Sequence, residues 1–317
     1  MARGAAAVGL GLAVGSAAAT AGQAAGPANC PPARTVASGV FVVEGAGGAP
    51  TRHNQGRVGN TVILVGDSGV VIVDPGPTRR SGRAIACSAR RLSRQPIVAV
   101  INTHPHPENV LANGAFAGVP IYAASSAAEA MSERCRGCQE RLARTLGNGA
   151  MAGTRALIPT VAVATATTVS PGGRALRLIP LGLAHSPGDL AVVDETTATL
   201  IGGDAATVAE LPDLRDGKTA GAIAALEQLQ SLPAQRIVPG RGAAFEPAEL
   251  ARPLAYLRRL QAAADAAAEA GEWPPRFVDD ADESQRFARY HELHPLNLQH
   301  AFREAEATWW GRDDQKR

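Results

Sequence analysis

The chain has 317 residues, of which 45% are hydrophobic, and its formal net charge is +2. That length and hydrophobic fraction are enough for one large folded domain or two small ones. Because 31 basic residues are nearly balanced by 29 acidic ones, the composition argues against a nucleic-acid or other polyanionic partner.

The first 25 residues are typical of a secretory signal peptide. Arg3 is their only charged side chain, a run of alanine, glycine, valine and leucine follows, and Ala19-Thr20-Ala21 is a small-x-small cleavage signal. An uncleaved membrane anchor is the alternative, but the apolar run is weak and interrupted by glycine. We therefore expect a periplasmic or secreted protein without stable membrane insertion after cleavage.

Four cysteines follow this segment: Cys30, Cys87, Cys135 and Cys138. An even number in an exported protein indicates disulfides, with three possible connectivities. Cys135 and Cys138 form a CxxC motif, for which a local disulfide is favoured and a redox or metal-binding pair is the alternative. A local bond would leave Cys30 to pair with Cys87.

Short β-branched and apolar runs predict strands in the first half of the chain. They are Thr35–Glu44, Asn60–Val65, Gly69–Val73, Ile97–Ile101 and Val119–Ala123. The predicted helices are one that Thr78 caps and that runs to about Arg94, a short one near Val110–Phe116, and one from Ser125 or Ser126 to Leu146.

The second half predicts a further set of strands and helices. The strands are Leu157–Ser170, Arg174–Leu183, Leu190–Asp194, Thr197–Ile201 and Arg236–Val238, and the helices are Ala220–Leu232 and Ala248–Ala270. Two sets of strands, each with helices, predict a four-layer αβ/βα sandwich of two mixed β-sheets. We expect one domain over residues 30–270 and a helical C-terminal extension over 271–317.

A histidine pair follows the predicted strand Ile97–Ile101. His104 and His106 each precede a proline, which favours extended backbone, and in extended backbone residues i and i+2 point the same way. Two imidazoles on a stiff loop are a plausible half of a metal site. Two surface histidines in a proline-rich turn are the alternative.

Other polar residues also follow predicted strands. They are Asp74, His185, Asp204 and Arg241. The order of these motifs resembles the metallo-β-lactamase superfamily, whose signature is Asp-x-Gly, His-x-His-x-Asp-His, a later His, an Asp after a strand, and Pro-Gly-His-Gly. This chain has Asp74-Pro-Gly, His104-Pro-His106-Pro-Glu108-Asn109, His185, Asp204 and Pro239-Gly-Arg241-Gly, so the resemblance covers about residues 35–245.

A narrower resemblance links the chain to the exported quinoprotein relay system zinc metallohydrolases. It rests on Leu211-Pro-Asp-Leu-Arg-Asp-Gly-Lys, on the CxxC helix, and on Asn297-Leu-Gln-His-Ala-Phe-Arg-Glu-Ala-Glu. This family is associated with periplasmic dehydrogenases that depend on pyrroloquinoline quinone (PQQ). The resemblance implies a small-molecule substrate and a periplasmic quinoprotein dehydrogenase system as partner.

The resemblance also implies which residues bind metal. His104, His106 and His185 match the ligands of the first metal, so we expect one Zn²⁺ per chain with its fourth position open to water, and Asp204 as a weaker possible ligand. The second-metal positions hold Glu108, Asn109, Asp204 and Arg241. Arginine offers no lone pair and asparagine is a weak ligand. We therefore expect no second metal at neutral pH, and Arg241 paired with Asp204 or Glu108.

These residues lead to two main functional hypotheses. The first is a mononuclear zinc hydrolase that cleaves an ester, thioester or amide-type bond with zinc-bound hydroxide. In it, Glu108 or Asp204 shuttles the proton and Arg241 orients the substrate. The second is a catalytically degenerate accessory or binding protein of the same fold. A thiol–disulfide or cofactor-relay role for the CxxC is less favoured, because nothing around Cys135 resembles a thioredoxin unit.

Overall fold

The computed structural model describes residues 1, 30–275, 277 and 283–314. Apart from Met1, the expected signal peptide lies outside the described residues. Among the described residues, no helix is long and apolar enough to span a bilayer.

The first sheet has seven strands in the order β1 to β7. They are β1 (Arg34–Ala37), β2 (Val40–Val43), β3 (Thr61–Val65), β4 (Val70–Val73), β5 (Ile97–Ile101), β6 (Ile121–Ala124) and β7 (Val161–Val163). The strands from β1 to β4 pair antiparallel, and those from β4 to β7 pair parallel. All four residues of β4 are buried, as is typical of a strand covered on both faces.

The second sheet has five strands in the order β12-β11-β10-β9-β8. They are β8 (Thr167–Val169), β9 (Leu176–Gly182), β10 (Asp189–Asp194), β11 (Thr199–Gly203) and β12 (Arg236–Pro239). Strands β11 and β12 pair parallel, and the other pairs are antiparallel. Both sheets are therefore mixed, as the sequence predicts.

Helices cover the outer faces of the sheets. They are α1 (Arg79–Leu92), α2 (Pro107–Val110), α3 (Ser125–Leu146), α4 (Thr219–Ser231), α5 (Ala251–Ala270), α6 (Glu283–Arg286) and α7 (Tyr290–Asp314). As predicted, Thr78 caps α1, and its side chain accepts a hydrogen bond from the Ser81 backbone N–H.

The core shows the layer order directly. Side chains from both sheets, such as Leu64 of β3 and Leu178 of β9, meet in one buried cluster between the sheets. Ile85 of α1 packs on the outer face of the first sheet, and Leu226 of α4 and Leu257 of α5 pack on that of the second. The predicted four-layer sandwich is confirmed, and α5 and α7 form the helical C-terminal region.

Three predicted elements differ from the structure. Thr35–Glu44 is the hairpin β1–β2 rather than one strand, because Gly39 turns the chain with a φ of +68°. Leu157–Ser170 is also two strands rather than one, because β7 belongs to the first sheet and β8 to the second. The alternation of side chains along the sequence does not indicate that the chain passes from one sheet to the other at this point. The predicted helix Val110–Phe116 is a 3₁₀ segment, Leu111–Phe116, that follows α2.

The cysteines agree with the sequence analysis only in part. Cys30 and Cys87 form a disulfide with a Cα–Cα distance of 5.3 Å. The favoured local disulfide is wrong, because Cys135 and Cys138 are free thiols buried within α3. In a regular helix, Cβ atoms three residues apart are about 5–6 Å from each other, whereas a disulfide needs about 3.8 Å.

Candidate metal centre

The side chains of the site follow the carboxyl ends of strands from both sheets. Asp74 follows β4, His104 and His106 follow β5, His185 follows β9, Asp204 follows β11 and Arg241 follows β12. The structure brings all of these residues together at one end of the sandwich.

Three imidazoles and one carboxylate converge there. Each of His104, His106, His185 and Asp204 offers one ligand atom, and these atoms all lie within 4.8 Å of one another. His106 Nδ1 is 3.1 Å from His185 Nε2. Asp204 Oδ2 is 3.8 Å from His104 Nε2 and 3.7 Å from His185 Nε2. The three rings are nearly perpendicular to one another, with interplanar angles of 84–86°.

This geometry fits a divalent metal ion. With Zn–N bonds of about 2.0–2.1 Å, two nitrogen ligands of a tetrahedral ion are about 3.3 Å apart, which is close to the separation of His106 and His185. In addition, Asp204 Oδ1 is buried and has no hydrogen-bond partner among the described residues. A buried oxygen of this kind is normally satisfied by a cation, water or donor.

The ring nitrogens that face away from the cluster are each held by an oxygen. His104 Nδ1 is 2.9 Å from Thr103 Oγ1, His106 Nε2 is 3.1 Å from Asp216 Oδ2, and His185 Nδ1 is 2.9 Å from the Asp213 carbonyl. Such bonds orient each ring so that its inward nitrogen, once deprotonated, can offer its lone pair to a metal.

The support of His104 extends to Asp74. The Asp74 carboxylate accepts hydrogen bonds from the Thr103 backbone N–H at 2.8 Å and from Thr103 Oγ1 at 2.5 Å. Because the Thr103 hydroxyl donates its hydrogen to Asp74, Thr103 Oγ1 accepts a hydrogen bond from the His104 Nδ1–H. Burial raises the pKa of Asp74 to about 7, although the two Thr103 hydrogen bonds oppose the shift.

Charge differs strongly among the ligands. Burial holds the pKa of His104 well below its usual value, so this ring stays neutral. Burial also disfavours a charged His106, but the Asp216 hydrogen bond and the Glu108 and Asp204 charges outweigh it and raise the pKa to about 9. The same hydrogen bond lowers the pKa of Asp216 to about 2.

Arg241 fills the region beside this cluster. Its Nε donates to Asp204 Oδ2 at 3.0 Å, its Nη2 to Glu108 Oε1 at 3.1 Å, and its Nη1 to the Gly48 carbonyl at 2.6 Å. The predicted pairing is thus confirmed with both carboxylates. Burial works against ionisation of Asp204, yet Arg241 and the histidines hold its pKa well below the usual range.

Asn109 also contacts the cluster. Its Nδ2 lies 2.9 Å from His104 Nε2, the nitrogen that faces the other ligands. A metal ion at His104 would replace this hydrogen bond.

An open pocket of about 430 Å³ lies over the centre. Its wall includes His106, His185, Glu108, Asp204 and Arg241, which are all sequence-predicted site residues. It also includes residues that the sequence analysis did not place at the site: Arg134, Cys135, Cys138, Arg141, Asp213, Arg215, Asp216 and Arg289. Most of these belong to α3 or to the loop before α4, and only the tertiary fold brings those segments over the histidines.

Comparisons with known proteins agree with this geometry. The model of the family described as "Metallo-beta-lactamase superfamily" matches residues 54–241, which is more than half of the chain. No curated protein matches the chain.

Solved structures are similar in fold. A metallo-beta-lactamase from Pontibacter korlensis has a TM-score of 0.57 at 21% identity, with 72% of this chain and 98% of that one covered. A metallo-beta-lactamase from Erythrobacter litoralis, with beta mercaptoethanol in its active site, has a TM-score of 0.54 at 17% identity. This match covers 71% of the present chain and 95% of that one. The DIM-1 metallo-beta-lactamase, exposed to ceftazidime, has a TM-score of 0.56 at 14% identity. This match covers 72% of the present chain and 96% of that one.

Proposed function

Since the chain belongs to the metallo-beta-lactamase superfamily, we propose that it is a hydrolase that uses one zinc ion per chain. The convergence of the inward nitrogens of His104, His106 and His185 carries this proposal, and the last two of these residues line the pocket. Three imidazole ligands with a remaining open position are typical of catalytic rather than structural zinc.

Bound zinc would lower the pKa of a water molecule to about 7 and polarise a carbonyl group. The chain's own residues would complete the chemistry. We assign proton transfer to Glu108, which lines the pocket, with Asp204 as the alternative. A carbonyl centre that is attacked by water defines the substrate class as an ester, thioester or amide.

Arg241 takes the role of a second cation in this proposal. Its guanidinium stays protonated and is fixed by Asp204, Glu108 and the Gly48 carbonyl. A fixed positive charge at the pocket wall would orient an anionic or carbonyl oxygen of the substrate. The same charge explains why a second metal ion would be unfavourable.

We place this activity in an exported, periplasmic quinoprotein context. The Cys30–Cys87 disulfide supports an oxidising compartment. The sequence resemblance of Leu211–Lys218 and Asn297–Glu306 to the quinoprotein relay hydrolases supports a PQQ-dependent dehydrogenase system as partner.

A catalytically degenerate binding protein is the competing function. The hydrogen bond from Asn109 to the inward nitrogen of His104 favours it, because that bond competes with a metal ligand. The two functions differ in turnover, since a binding protein would retain the pocket but hydrolyse nothing.

Metal content tests the proposal first. Elemental analysis after incubation with zinc and dialysis should find about one zinc per native chain and a large loss in His185→Ala. His53→Ala, at an exposed histidine outside the cluster, is the matched control and should keep its zinc. Native protein that stays metal-free in excess zinc at neutral pH would refute the proposal.

Turnover then separates the hydrolase from the binding protein. The zinc-loaded native chain should hydrolyse at least one member of a panel of esters, thioesters and amides, and His185→Ala should not. Zinc binding with no hydrolysis of any panel member would favour the degenerate binding protein.

A further inference from the structure

Two buried thiols lie on the wall of the same pocket. Cys135 and Cys138 are 2% and 7% exposed, and both line the pocket from α3. They are three residues apart on a helix, so they share one face, and their side chains are hydrogen-bonded to each other. The other two of the four cysteines form the Cys30–Cys87 disulfide. Cys135 and Cys138 are therefore the two free thiols among the four cysteines.

Arginines flank Cys138 on this face. Arg141 Nη2 lies 3.1 Å from Cys138 Sγ, and Arg134 lines the pocket one turn before Cys138. Within the part of the chain that the structure describes, neither arginine forms a salt bridge, unlike Arg215 and Arg289 in the same pocket. Arg134 also attracts the Asp216 carboxylate, and both guanidinium groups can still bind an anion beside the sulfur.

The hydrogen bond from Cys135 lowers the pKa of Cys138, and the Arg141 charge adds to this shift against the effect of burial. Asp216 opposes this shift from the loop before α4. A lowered pKa favours the thiolate, which is the nucleophilic form of cysteine.

We propose that Cys138 is a site of reversible S-thiolation by small disulfides that carry carboxylates. The Cys138 thiolate attacks one sulfur of the disulfide RSSR, a Cys138–S–S–R bond forms, the S–S bond of the reagent breaks, and RS⁻ leaves. The reagent disulfide is the oxidant, and the carboxylate of the retained R group binds to Arg134 and Arg141. This reaction does not depend on the metal centre.

The mixed disulfide is expected to persist. Resolution by Cys135 would require an intrahelical disulfide, for which the Cβ atoms of a regular helix are about 1–2 Å too far apart. Reduction by an external thiol would restore the free Cys138. While it lasts, the adduct fills part of the pocket that contains His106 and His185.

The reagent 5,5′-dithiobis(2-nitrobenzoate), a disulfide with two carboxylates, tests the proposal on the folded native chain. One equivalent of coloured thiolate should be released rapidly, and a second only in denaturant. Cys138→Ser should lose the rapid equivalent, and Cys135→Ser should keep it. Two rapid equivalents, no rapid equivalent, or equal rates in both variants would overturn the proposal.

The charge requirement is tested separately. Arg134→Gln should slow the reaction with this reagent several-fold but leave that with the uncharged 2,2′-dithiodipyridine unchanged. If a serine variant does not fold, the native chain is instead treated with oxidised glutathione. Peptide mapping should then find one glutathionyl group, on Cys138. An adduct on Cys135, or none, would overturn the assignment.

Discussion

At the residue scale, we propose that Arg241 limits the site to one metal ion. Its guanidinium forms ion pairs with Asp204 and Glu108, two carboxylates that could otherwise bind a cation. The Arg241 and Asp204 side chains are only 11% and 5% exposed, so each charge needs the other. Replacing one arginine therefore changes both the charge and the ligand set of the site.

Arg241→His should raise the zinc content from about one ion per chain towards two. The substitution removes a fixed positive charge, frees Asp204 and Glu108, and adds an imidazole lone pair. Elemental analysis after dialysis against zinc measures the change, and Arg289→His, at another salt-bridged arginine of the pocket wall, is the matched control. A stoichiometry that stays at one would show that Arg241 is not what excludes the second ion.

At the scale of elements, the ends of strands explain why much of the site could be predicted. The residue pattern identifies Asp74, the histidine loop, His185 and Asp204 as strand-end residues, and the carboxyl ends of neighbouring strands meet in space. Asp213 and Asp216 could not be found in this way, because their loop follows no strand directly and reaches the histidines only through the tertiary fold. The CxxC was identified, but its bonding state depends on its position within a regular helix, which spacing alone does not give.

The contact between Asp74, which follows β4, and Thr103, in the loop that contains His104 and His106, can be tested by substitution. Asp74→Ala removes both acceptors for Thr103 and places alanine at a φ of +53°. Because loss of such a supporting group typically costs about 10–100-fold in metal affinity, we expect a weakening of that order. Competition with a chromogenic zinc chelator measures it.

Asp74→Asn is the control for this junction. Asparagine tolerates positive φ and keeps an oxygen acceptor, so its zinc affinity should fall less than that of Asp74→Ala. Native affinity in Asp74→Ala would show that the Thr103 link does not orient His104.

At the scale of the whole molecule, the C-terminal helix α7 supports the pocket from outside. Asn297 is fully buried, donates to the Pro212 carbonyl at 2.7 Å, and accepts from the Leu214 backbone N–H at 3.2 Å. These bonds fix both sides of Asp213, whose carbonyl holds His185. We propose that residues 271–317 are an extension of the domain. Through Asn297 and the loop around Asp213, this extension supports His185 of the candidate metal centre.

Asn297→Ala should therefore weaken both the fold and the site. The substitution leaves two buried backbone groups without partners, at about 1–3 kcal/mol each, and frees the loop that orients His185. Urea unfolding should show the lower stability, and the zinc affinity should fall by about tenfold. Gln299→Ala, at an exposed position of the same helix, should change neither quantity. If Asn297→Ala loses stability but keeps its full zinc affinity, α7 stabilises the fold without positioning the ligands.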